Sequence, residues 1–185
     1  PIIKQRWSPR SFRPDAVTSE SVQRICEAAR WAPSGFNEQP WRFVIGHYQD
    51  ASWKIMFDSL VEFNQKWAKS AGLLMAVFAK KSLSKNGMPN ETYMYDTGGS
   101  VAWITMQAMA EGLMVHQMGG FDKVQLSTAL DAPADYQPVT ILAIGHQDTA
   151  DKLEDNFAEM ERAERSRLPH EEVFFHEKFG QPVKW

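Results

Sequence analysis

The chain has 185 residues, of which 43% are hydrophobic, 23% charged and 12% aromatic, the makeup of one folded domain over 1–185 and not of a disordered tail or a fibrous repeat. Twenty Lys and Arg against 23 Asp and Glu leave a formal charge of −3, which argues against a surface built to hold nucleic acid. The only cysteine, Cys26, excludes an intramolecular disulfide and a thiolate metal cluster and fits a reducing, cytoplasmic setting.

After a basic start, Val22, Ile25, Cys26 and Ala29 recur at i, i+3, i+4 and i+7, which predicts an amphipathic helix over 17–31 capped by Thr18 and ended by Pro33. Residues 33–40 read as a turn, and 41–46 as a first strand, rich in aromatic and β-branched residues and closed by Gly46. The longest apolar run, 71–79, holds nine residues, about half of a membrane span; within it 73–79 suits a buried strand. No membrane association is expected. The polar stretch 80–95, with Asn86-Gly87 and Pro89-Asn90, reads as a surface excursion and a candidate lid.

Val101, Ile104, Thr105, Ala108 and Met109 predict a central buried helix over 96–111, with Gly112 at its C-terminal cap. A third strand over 113–118 leads through Gly119-Gly120 into a helix, and a fourth follows over 138–145. Residues 148–165 are acidic and helical in flavour. The tail 166–185 carries Val173, Phe174, Phe175, Phe179 and Trp185 without a core of its own, so it is expected to cover a second subunit. The elements amount to an α+β or α/β fold in three layers.

No dinucleotide glycine motif, Walker loop, zinc-protease motif or nucleophile elbow is present. His47, His116, His146, His170 and His176 are too scattered for a metal site, and none is expected. Four clusters stand out. Arg6-Trp7-Ser8-Pro9-Arg10 puts guanidinium and hydroxyl donors on one side of an extended segment, as a phosphate requires, although a solvated basic N-terminus fits the same residues. Ser34, Asn37 and Gln39 lie on a stiff loop between Pro33 and Pro40, which would suit a hydroxylated chain, a heterocycle edge or simply a self-capped turn. Gly119-Gly120 allows close backbone approach to a flat ring, or a plain tight connection. Arg165 and Arg167 could reach the same phosphate from the other end of the chain.

In this order the clusters resemble the nitroreductase superfamily of flavin enzymes along nearly the whole chain. The matching pieces are Arg6, Ser8, Arg10 and Phe12; Ala32 through Trp41; Gly112-Leu113 with Gly119-Gly120-Phe121; and Arg165, Arg167 and Pro169. The resemblance implies an α+β homodimer with a mostly antiparallel central sheet flanked by helices, exchanged C-terminal tails and FMN in two interface pockets. Arg6, Ser8, Arg165 and Arg167 would hold the phosphate, with Trp7 beside them, and Arg10 would face the pyrimidine end of the ring. Pro33, Ser34 and Gly35 would come from the partner, on a loop shaped by Asn37 and Gln39. Asn64 would touch ribityl or pyrimidine, and Met118, Gly119 and Gly120 would bring a backbone N–H to the flavin N5. Lys66 and Trp67 compete for a further contact, and Gly119 stands where some relatives have glutamate.

The chemistry then belongs to the cofactor, with no catalytic side chain beyond electrostatic support from Arg10. NADH or NADPH would reduce FMN, and a small aromatic acceptor, a nitroarene or a quinone, would reoxidise it in a ping-pong cycle, with Tyr93 and Tyr95 as candidate walls. Ene reduction, dehalogenation, flavin reduction for a partner enzyme, a non-catalytic flavin module and a cofactor-free dimer are the alternatives.

Overall fold

The computed structural model describes residues 2–185. In chain order the elements are α1 (Ile2–Gln5), α2 (Ser19–Arg30), β1 (Trp41–His47), α3 (Ala51–Ser59), α4 (Glu62–Ala68), β2 (Leu73–Lys80), α5 (Tyr93–Ala110), β3 (Met114–Met118), α6 (Lys123–Ala129), β4 (Tyr136–Gly145) and α7 (Asp155–Arg162). The four strands form one sheet in the order β1-β2-β4-β3, and every neighbouring pair is antiparallel.

The unbroken apolar run in β2 follows from burial on both faces. Leu73, Met75 and Val77 point to one side, where they meet Val22, Ile25 and Ala29 of α2 and Val101, Ile104 and Ala108 of α5. Leu74, Ala76 and Phe78 point to the other, against Trp53 and Met56 of α3, Trp67 of α4, Leu126 of α6 and Phe157 of α7. The fold is therefore α+β in three layers. Pro138, which lacks an N–H for the ladder, faces Phe78 where the β2–β4 register shifts.

The α2 boundary follows its cap: the Ser21 N–H donates to Thr18 Oγ1 at 3.2 Å. Gly112, at φ +74°, turns the chain out of α5, and the Leu113 N–H closes on the Ala108 carbonyl at 2.8 Å. Between the first two strands lie two helices that the periodicity does not announce, α3 and α4. Asp50 caps α3 by accepting the Trp53 N–H at 2.7 Å. Gly46 of β1 passes so close to this cap that a Cβ would sit 2.3 Å from the Trp53 nitrogen.

Two expectations change in detail. The 80–95 excursion is a short turn closed by a bridge between Ser82 and Pro89, and α5 begins at Tyr93, so both tyrosines belong to that helix and not to a lid. The acidic stretch after Gly145 is helical only over α7 and a 3-10 turn, Ala150–Lys152. The tail folds on itself through a bridge between Phe175 and Pro182 and an edge contact of Phe174 with Trp185, leaving Phe179 94% and Trp185 86% exposed. Among the described residues no helix is long and apolar enough to cross a membrane.

Candidate functional site

The two basic ends of the chain meet. Arg6 donates from Nη1 to Ser8 Oγ at 3.0 Å. Arg165 donates to the backbone carbonyls of Lys4 and Arg6, and its guanidinium lies 5.6 Å from the centre of the Trp7 ring. Arg6, Arg165 and Arg167 line one open cleft of about 590 Å³ with Ile3, Lys4 and Glu164. Burial, and then the charges of Arg167 and Arg165, lower the Arg6 pKa, the effect expected of like charges gathered at short range. Among the described residues none of the three forms an ion pair within 4.0 Å.

Arg10 lies beyond Pro9, at the other end of this segment. Its backbone N–H donates to Glu161 Oε2 at 2.8 Å, while its side-chain Nε is buried and has no hydrogen-bond partner among the described residues. Burial lowers the Arg10 pKa and Glu161 opposes that shift. The segment is anchored from below by His116 of β3, whose Nδ1 is 2.9 Å from the Pro9 carbonyl and whose ring centre is 4.4 Å from that of Trp67. Burial brings the His116 pKa down to about 4, with the charges of Arg10 and Arg6 acting in the same direction and the Pro9 and Ser8 carbonyls opposing. At neutral pH the ring is uncharged, and the carbonyl facing Nδ1 assigns its proton there.

Beyond β3 the backbone is shaped for close approach. The Asn64 amide donates to the Gly120 carbonyl at 3.0 Å, and the Val61 N–H donates to the same oxygen at 3.1 Å. A Cβ on Gly120 would stand 2.9 Å from both Asn64 Nδ2 and Val61 Cγ2, whereas one on Gly119 would meet nothing within 4 Å. Gly120 is thus glycine for packing, and Gly119 leaves a bare backbone facing open space. Met118 is buried in the core, so it can offer only backbone to a ligand. Trp67 is buried as well, stacked on Phe12 with ring centres 6.4 Å apart, while Lys66 lies at the surface beside Glu62 at 3.3 Å.

The 33–39 loop is held by the first turn of α5. The Gly35 N–H donates to Asp96 Oδ2 at 3.1 Å, and the Gln39 N–H donates to Ser34 Oγ at 3.0 Å. Pro33 and Asn37 are exposed. Among the described residues no hydrogen bond joins this loop to the basic segment. Tyr93 is tied by its hydroxyl to Gln137 at 3.1 Å, while Tyr95 is 85% exposed.

The sequence profile of the nitroreductase family matches residues 3–146. The chain belongs to that family. A solved structure described as an oxidoreductase containing FMN is 36% identical, with a TM-score of 0.93 over 98% of this chain and 92% of that one. The 5,6-dimethylbenzimidazole synthase of Rhodospirillum rubrum is 29% identical over 196 residues, 91% of this chain and 90% of its own. An oxygen-insensitive NADPH nitroreductase of Helicobacter pylori strain J99 is 36% identical over 94 residues, 50% of this chain and 43% of its own.

The family match ends before Arg165 and Arg167, so the place of these two in the site rests on their convergence with Arg6. Two residues that hold the candidate segments in place escape sequence reasoning. His116 carries no motif, and its contact with Pro9 spans 107 positions. Asp96 reads only as a helix start.

Proposed function

We propose that this nitroreductase-family protein passes two electrons from NADH or NADPH by way of FMN to flat, electron-poor acceptors such as quinones and nitroaromatics, in a ping-pong cycle. It is an FMN-dependent NAD(P)H oxidoreductase by family membership and by its likeness to FMN- and NADPH-named proteins over shared sequence. The observation that carries the proposal is the meeting of Arg6, Arg165 and Arg167 beside Ser8, in one cleft and without carboxylate partners among the described residues.

The residues present fit the cofactor. Three guanidiniums and a hydroxyl match a group that bears about −1.5 to −2 charges and several acceptor oxygens. The unpartnered Arg10 Nε is a buried donor awaiting an acceptor, and the open side of Gly119 admits a planar ring against backbone. When bound, FMN supplies the acceptance and donation of hydride, which no side chain of this chain can provide. The protein's part is to bind, orient and bias. Arg6, Ser8, Arg165 and Arg167 hold the phosphate, Gly119 offers its backbone N–H, and the Arg10 cation favours a ring that gains negative charge on reduction. The bare Gly119 leaves room for nicotinamide and acceptor to take the same place in turn.

The reading is a homodimer. On α5 the outward residues Tyr95, Gly98, Ala102 and Trp103 form a small and aromatic stripe, with Trp31 of the neighbouring segment exposed beside α2. The partner supplies Pro33, Ser34 and Gly35 to the cofactor, and the exposed aromatic tail reaches across to the other subunit. NADH and NADPH are cytoplasmic reductants, and the enzyme is placed in that compartment.

The test is anaerobic stopped-flow mixing of FMN-loaded protein with each nicotinamide, followed by a quinone or a nitroarene. Loss and return of the visible absorbance in two separate half-reactions is expected. Failure of both nicotinamides to bleach the flavin would end the oxidoreductase reading in favour of a flavin-binding module.

A further inference from the structure

We infer that Asp96 is the positioning residue of the cofactor site: through Gly35 it sets the conformation of the 33–39 loop and thereby presents Ser34 to the FMN of the neighbouring subunit. The inference rests on the FMN reading above. Asp96 lies in the first turn of α5 and is only 5% exposed. A buried carboxylate persists where donors face it, and here two do. The Gly35 N–H lies 3.1 Å from its Oδ2 and the Thr92 hydroxyl 2.9 Å from the same oxygen. That hydroxyl is also 3.1 Å from Asn90 Oδ1, and its single proton goes to the nearer carboxylate. Among the described residues no Lys or Arg pairs with Asp96, so the carboxylate is committed to the loop and its own helix cap.

The loop needs such a hold. Phe36, Asn37 and Gln39 have φ of +51°, +57° and +47°, a region that side chains with a Cβ occupy only where the surroundings over-determine it. The remaining ties are local or exposed: Gln39 N–H to Ser34 Oγ at 3.0 Å, and Ser84 N–H to the Glu38 carboxylate at 2.8 Å. The contact from Gly35 to Asp96 is the one that ends on a buried group of another element. Gly35 packs tightly there, since a Cβ would come 3.0 Å from Thr92 Oγ1 and the neighbour would have to give way by a few tenths of an ångström. Held in this way, Ser34 accepts from Gln39 and keeps its own hydroxyl proton for a ligand. Phe36, at the turn's outermost point, is 96% exposed.

The experiment measures FMN affinity by fluorescence quenching, and amide hydrogen exchange at Gly35, in the wild type and in Asp96→Ala, Asp96→Asn and Gly35→Ala. Asparagine keeps an acceptor at the same place. Asp96→Ala, which removes the acceptor, should weaken FMN by about tenfold or more; Gly35→Ala, which keeps its N–H but presses a Cβ on Thr92 Oγ1, should weaken it by a similar factor; and Asp96→Asn should stay within about threefold. Gly35→Ala perturbs the loop and leaves the buried carboxylate in place, so it answers the question even where Asp96→Ala fails to fold.

A double-mutant cycle separates positioning from general destabilisation. Combined with Asp96→Ala, Ser34→Ala should add little further loss, because the first change has already misplaced the hydroxyl. Unchanged FMN affinity in both Asp96→Ala and Gly35→Ala, or fully additive losses in the cycle, would overturn the inference. If the wild type itself takes up no FMN, the reading of the function falls, and exchange at Gly35 still decides the role of Asp96. Exchange should quicken at least about tenfold in Asp96→Ala and not in Asp96→Asn, and equal rates in all three would refute it.

Discussion

Arg10 and His116 sit on either side of one peptide unit and act in different ways. Arg10 offers a buried, unpartnered donor and a charge. Arg10→Ala should therefore retain part of the FMN affinity but slow reduction by nicotinamide about tenfold or more, the cost of one charge-assisted contact; unchanged reduction kinetics would remove Arg10 from that role. His116 works through geometry, with its pKa brought to about 4 from an ordinary 6.5. Below pH 6.5 the unfolded chain takes a proton on this ring that the folded chain refuses until about pH 4, so folding stability falls over that window and levels off beneath it. The loss should reach about 3 kcal/mol, read by urea unfolding at pH 7 and pH 4. His116→Asn, which can still donate to the Pro9 carbonyl but does not titrate, should lack this component. An equal acid loss in both proteins would contradict the burial of the ring.

Several elements were readable because one local pattern decides each of them. The stripe Val22, Ile25 and Ala29 forms the buried face of α2, and alternate residues of β2 fill the two cores. By contrast α3 and α4 are short, and close packing of Gly46 on Trp53 and of Asn64 on Gly120 fixes them; nothing in a window of a dozen residues carries that information. The same limit hid the partners of His116 and Asp96, whereas residue type and spacing alone mark Arg6, Ser8 and Arg10 as an anion-site candidate, and the family resemblance is what groups Arg6 and Ser8 with Arg165 and Arg167. Nor does a local window show that Trp67 is buried against Phe12 while Lys66 lies at the surface beside Glu62. At this scale the tail supplies a test. Removing residues 166–185 deletes Arg167 along with the aromatic cover, so the truncated chain should lose both self-association and most FMN affinity. Retention of both would assign the tail no part in the assembly.

For the whole molecule, the account joins two surfaces. The outer face of α5 carries Tyr95 and Trp103, 85% and 47% exposed, and the 33–39 loop is fastened to the first turn of the same helix and, among the described residues, makes no hydrogen bond to the basic segment. Pairing through α5 would carry the loop of one copy to the cofactor of the other. Trp103→Glu places a charge in the middle of that face, so it should shift the protein to monomer in light-scattering chromatography and weaken FMN in step. A monomer that binds FMN as tightly as the wild type would separate the two claims.

The phosphate cradle can be addressed on its own by titrating the protein with FMN and with riboflavin, which differ by the phosphate alone, in the wild type and in Arg165→Ala/Arg167→Ala. FMN should bind at least about a hundredfold more tightly than riboflavin to the wild type, as two or more charge-assisted contacts imply, and the double variant should bring FMN close to riboflavin without changing riboflavin itself. Equal affinity of the wild type for the two flavins would contradict the assignment of the arginine cleft.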